Sequence, residues 1–73
     1  MKEKIAETIL LVCPTLDLDD PDLNLAEDMD SMDLIALMAE LEEAFGIEIM
    51  MEDKTEENFV NVDTLAAMVE RLQ

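Results

Sequence analysis

Leu34, Leu37, Met38, Leu41 and Phe45 recur mostly three or four positions apart and stop at Gly46, the only glycine in the chain. A half-buried strand would alternate with period two; this spacing buries one stripe of a helix instead. The segment from about Ser31 to Phe45 is therefore predicted helical. Gly46 ends it, because glycine takes the left-handed conformation without steric cost. Ile5, Ile9 and Val12 repeat the pattern from Lys2 to Cys13, and Pro14 opposes continuation. Asn61 reads as the N-cap of a last helix that buries Val62, Leu65, Ala66, Val69 and Leu72.

The connections are less regular. Residues 14–30 hold both prolines, Pro14 and Pro21, with Asn24 and interleaved Asp and Leu. They predict a long ordered loop whose leucines, Leu16, Leu18, Leu23 and Leu25, pack under the helices. From Ile47 to Asn58 apolar and charged residues mix, which supports no more than a short helix or single turn near Thr55 to Phe59. There is no internal repeat and no low-complexity tract. The expected fold is all-α: a small four-helix bundle with three main helices, one short helix and a long first loop, forming one domain over residues 1–73.

Charge narrows the partners. Twenty acids against four bases give a formal net charge of −16 over 73 residues. Such a surface repels DNA, RNA and anionic lipid and suits proteins with basic patches. Acidity alone would fit a disordered chain, but 51% apolar residues do not. A domain this small buries only about 60% of its unfolded surface, so its stability should be modest and salt should raise it. The single cysteine, Cys13, forms no disulfide within one chain and suits a reducing compartment. The apolar run Ile9 to Cys13 is too short to span a bilayer, and the first residues do not read as a signal peptide. The expectation is a soluble, cytoplasmic monomer.

Missing residue types limit the chemistry. Without histidine, the chain has no Ser-His or Cys-His nucleophile, and one glycine cannot make a phosphate loop. Zinc has no plausible ligand set, and so short a chain hardly encloses a deep pocket around paired carboxylates. No catalytic and no metal-binding residues are predicted; an enzyme is not expected.

The informative segment is Asp30-Ser31-Met32-Asp33, running into Leu34-Ile35-Ala36-Leu37-Met38-Ala39-Glu40-Leu41-Glu42-Glu43-Ala44-Phe45. Ser31 sits where an acidic loop meets the N-terminus of the strongest helix. Asp30 can cap that helix, with Asp33 as a weaker capping-box partner. A hydroxyl here is exposed on a rigid element, and a phosphodiester on it would face free N–H groups and the positive helix end, worth roughly 0.3–1 kcal/mol. Asp-Ser at a helix start is by itself only a common cap.

The whole string says more. It resembles the acyl carrier protein family, whose signature is Asp-Ser-(Leu/Met), apolar residues at helical spacing, then Leu-Glu-x-x-Phe; here that ending is Leu41-Glu42-Glu43-Ala44-Phe45, followed by Ile47 and Ile49. The resemblance covers nearly the full chain. It implies that a separate phosphopantetheinyl transferase moves 4'-phosphopantetheine from coenzyme A to Ser31, and that the arm's thiol carries acyl groups as thioesters. Asp30 would belong to the attachment site. Modification in trans agrees with the lack of a histidine to activate Ser31. Cys13, at the end of the first helix, reads as a structural cysteine rather than the carrier thiol.

A second apolar stripe, Met32, Ile35, Ala36 and Ala39, faces away from Leu37, Leu41 and Phe45. It is either extra core or, as in the family this chain resembles, a docking face for acyl-loading and acyl-processing enzymes, flanked by Asp30, Asp33, Glu40 and Glu43. Flexible methionine suits several partners. Two positions depart from the family pattern. Ala36 stands where many carriers have Glu, which puts one salt bridge to partners in doubt. Asp28 stands where Gly is frequent, which leaves the turn into the helix open. Thr55 to Val62 resembles discrete carriers of specialised pathways (polyketide, peptide or related) more than those of primary fatty-acid synthesis.

Two rivals come from other classes. Asp17-Leu18-Asp19-Asp20-Pro21-Asp22 is rich in oxygen ligands for a divalent cation. Counted from Asp17, however, an EF-hand would need Gly at Asp22 and Glu at Asp28, and the pattern fails. The other rival is an acidic helical adaptor without a prosthetic group, for which Ser31 would be dispensable.

Overall fold

The computed structural model describes Met1–Gln73 and contains no strand. Helix α1 spans Lys2–Val12, α2 is a single turn at Leu25–Asp28, α3 spans Ser31–Phe45 and α4 spans Val62–Leu72. Two 3-10 turns, Met51–Asp53 and Glu56–Asn58, lie between α3 and α4. No helix is long and apolar enough to cross a membrane.

Each helix stops for a local reason. The Cys13 amide donates to the Ile9 carbonyl as the last bond of α1, and Pro14 has no N–H to extend it. Gly46 ends α3 at φ 64°, ψ 38°, and the Ile47 amide folds back onto the Glu42 carbonyl at 3.2 Å. Asn61 starts α4: its Oδ1 accepts from the Thr64 amide at 3.0 Å, and the Asn61 amide donates to Thr64 Oγ1 at 3.1 Å.

Helix α1 packs on both α3 and α4. The shared core is Ile5 and Ile9 from α1, Leu37 and Leu41 from α3, and Leu65, Ala66, Met68 and Val69 from α4. Leu34, Met38, Phe45, Val62 and Leu72 are half-buried at its margin. Met68 was not on the expected face of α4 yet is fully buried. Lys4 ties α1 to the far end of α3: its Nζ donates to the Ala44 carbonyl at 2.9 Å and lies 5.1 Å from the centre of the Phe45 ring. A cation there satisfies an orphan carbonyl and complements the negative helix end.

The first loop runs as expected through most of its length, with Leu23 and Leu25 buried and Leu16 and Leu18 packed against the core. Its aspartates close local turns: Asp17 Oδ1 accepts from the Asp19 amide at 3.0 Å, and Asp20 Oδ1 from the Asp22 amide at 2.9 Å. The structure corrects the sequence reading over the last part of this segment, where α2 replaces loop. Asn24 caps α2 through the Ala26 amide, and the Leu25 and Ala26 amides donate to the Val60 and Phe59 carbonyls at 3.0 and 2.9 Å. Those two acceptors are distant in sequence, so the helical turn depends on the assembled fold. Near Thr55 to Phe59 the expected single turn is the second 3-10 turn.

Candidate functional site

The approach to Ser31 is held from below. Met29 is buried, its amide bonded to the Leu25 carbonyl at 3.0 Å. Asp28, at the position where the turn was left open, ends α2 and ties back to its start, its Oδ2 accepting from the Asn24 amide at 3.1 Å; the turn itself needs no glycine, since no residue other than Gly46 takes a positive φ.

Asp30 then caps α3, its Oδ1 accepting from the Asp33 amide at 2.8 Å. The first intrahelical-type bond runs from the Leu34 amide to the Asp30 carbonyl at 3.0 Å. Asp33 does not return the cap, so the expected capping box is only half formed. The Ser31 and Met32 amides have no partner within the chain. Ser31 itself is exposed, and its hydroxyl makes no hydrogen bond. The site therefore offers a free hydroxyl beside two free N–H donors at a positive helix end.

The neighbouring face of α3 is uncovered. Met32 is 76% and Ile35 63% exposed, and Ala36 and Ala39 are exposed as well. Leu37, two positions beyond Ile35, is fully buried. The second stripe is thus surface rather than extra core. Of its acidic flank, Asp30 and Glu43 are exposed while Asp33 and Glu40 are half-buried. Cys13 is half-buried against the core. No group of three or more His, Cys, Asp or Glu side chains is arranged to hold a metal ion.

Comparison with known proteins agrees with this geometry. The family described as "Phosphopantetheine attachment site" matches residues 2–72. No curated protein and no solved structure gives a significant match. The match spans almost the whole chain, and the chain belongs to the acyl carrier protein family, whose domains are non-catalytic carriers of covalently bound 4'-phosphopantetheine. Carriers of this kind work with phosphopantetheinyl transferases and acyl-processing enzymes. A group tethered through a phosphodiester needs an exposed hydroxyl and donors for the phosphate oxygens, and the start of α3 supplies both.

Proposed function

We propose that Ser31 is the attachment residue and that this chain, as one carrier domain, presents acyl groups to partner enzymes from the first turn of α3. The observation that carries the reading is an exposed, unbonded Ser31 hydroxyl beside the unpartnered amides of Ser31 and Met32. When bound, the arm supplies a thiol on which acyl groups are held as thioesters. The chain's own part is to hold the hydroxyl still and outward. Met29 anchors the approach below it and Asp30 fixes the helix end beside it. As the phosphopantetheinyl group passes to the hydroxyl oxygen the nucleotide part of coenzyme A departs, and the hydroxyl proton leaves to a base on the transferase, in keeping with the lack of a histidine in this chain.

Partners dock on Met32, Ile35, Ala36 and Ala39, with Asp30, Asp33, Glu40 and Glu43 meeting basic residues around them. Support comes from the exposed apolar stripe on a surface of net charge −16, where charge steers encounter and the apolar centre supplies affinity. With Ala36 lacking a carboxylate, the acidic contacts fall to Asp33 before it and Glu40 after it. The pathway we assign is a specialised one (polyketide, peptide or related), supported by the resemblance of Thr55 to Val62 to discrete carriers of that kind.

The test is acyl loading followed by hydroxylamine treatment, which cleaves thioesters. Wild type and Cys13→Ala should both gain a hydroxylamine-labile acyl group after treatment with transferase and acyl-coenzyme A, whereas Ser31→Ala should gain none. Loss of loading in Cys13→Ala with retention in Ser31→Ala would overturn the assignment.

A further inference from the structure

The chain has seven methionines and no tryptophan, tyrosine or histidine. Its one cysteine is half-buried. In the unloaded protein, the exposed side chains open to a mild peroxide are therefore thioethers.

The fold grades them. Met29 and Met68 are buried in the core, and Met38 is half-buried. Met1 and Met50 are close to half exposed. Met32, at 76%, and Met51, at 85%, present the most surface to an oxidant. The two differ in place. Met51 opens the first 3-10 turn, beyond the end of α3. Met32 follows Ser31 directly in the first turn of α3 and lies one turn from Ile35 on the uncovered stripe.

We propose that Met32 is an oxidation site through which a peroxide controls loading at Ser31. The proposal rests on Ser31 being the attachment residue and on the stripe being a docking face, and it adds a regulation of that site. The Met32 thioether sulfur attacks one oxygen of hydrogen peroxide. The O–O bond breaks, a sulfur–oxygen bond forms, and the second oxygen leaves as water. Sulfur is oxidised to the sulfoxide as the peroxide is reduced. The product keeps the length of methionine but carries a polar, chiral group at what was an apolar tip. In the free carrier water solvates that oxygen, so the fold is undisturbed. Under a docked transferase the same oxygen is stripped of water, which weakens the complex. Methionine sulfoxide reductases, one for each epimer, return the thioether and make the block reversible. The switch belongs to the unloaded protein, before an arm thiol competes for the oxidant.

The experiment treats the apo protein with graded hydrogen peroxide, removes the excess with catalase, and maps each oxidised residue by peptide mass. Loading by a phosphopantetheinyl transferase with coenzyme A is then timed, and a melt is recorded on the same samples. Met32 and Met51 should gain oxygen before Met29, Met38 and Met68. Conversion of Met32 should lower the loading rate about tenfold, as a buried polar group without a partner implies, with Tm unchanged. Each variant is compared with its own untreated rate. Met32→Leu should lose nothing to peroxide, whereas Met51→Leu and Cys13→Ala should lose as much as wild type. Sulfoxide reductase should restore the wild-type rate. Oxidation of Met32 no faster than of Met29 and Met68, an unchanged rate with Met32 fully converted, or an equal loss in Met32→Leu would overturn the proposal. Absence of loading in the untreated protein would instead overturn the Ser31 assignment and take this proposal with it.

Discussion

Ile35 and Leu37 separate docking from folding on one helix. They stand about 200° apart around α3, with Ile35 63% exposed and Leu37 fully buried. Leu37→Ala removes buried methyl groups from the contact between α1 and α3 and should cost about 2–5 kcal/mol. A domain of this length has about 4–11 kcal/mol in total, at 0.05–0.15 kcal/mol per residue. At roughly 4–8 °C per kcal/mol, even the low end of that loss lowers Tm by about 8–16 °C. Ile35→Glu changes a surface residue and should stay within about 0.5 kcal/mol, a shift of at most about 4 °C. On the transferase the order reverses. A carboxylate at the centre of an apolar docking patch should cost about 2 kcal/mol, or roughly 30-fold in kcat/KM for loading. Circular-dichroism melts and loading kinetics on the same samples test both halves. A melt for Ile35→Glu as depressed as that of Leu37→Ala would show the stripe to be core. An unchanged kcat/KM for a folded Ile35→Glu would remove it from the docking face.

Other consequences follow from the charge and the caps. At about 10 mM salt the Debye length is about 30 Å, longer than the 27 Å long axis of the molecule, so the surplus acids repel across the whole fold. Tm should rise steadily as salt increases toward about 1 M, where screening acts within about 3 Å, and a flat or falling Tm would contradict that account. Asn61→Ala removes the cap of α4 and should cost about 1 kcal/mol, about 4–8 °C in Tm; no change in the melt would mean that Thr64 holds the helix end unaided. Lys2 is held above its ordinary value of 10.5, first by the hydrogen bond to Asp63 and then by that carboxylate's charge. Because its folded value is raised, the pair's contribution to stability is complete below 10.5 and fades as pH climbs through the folded value. In an NMR titration Asp63→Asn should lower the Lys2 midpoint, and an unmoved midpoint would refute the pairing.

Much of this was legible in the sequence because it is local. The bounds of α3 follow from an apolar stripe between a capping Asp30 and the only glycine, and Asn61 marks α4 by the same capping chemistry. What escaped is held together by distant groups. Helix α2 depends on the Phe59 and Val60 carbonyls, more than thirty positions away. Lys4 capping Ala44, forty positions away, has no signature in either segment. Met68 is buried because α4 is covered on a wider face than its apolar spacing implied. At the site, exposure of the second stripe was the open point, since periodicity places residues on a face without saying what covers it.

The most direct test of the central claim is intact mass after incubation of the apo protein with coenzyme A, magnesium and a broad-specificity phosphopantetheinyl transferase. Ser31→Ala serves as the control, since the hydroxyl it removes makes no bond in the fold. A gain of one phosphopantetheine on the wild type, with none on Ser31→Ala, is the predicted result. No gain on a protein shown beforehand to be unmodified, or an equal gain on Ser31→Ala, would contradict it.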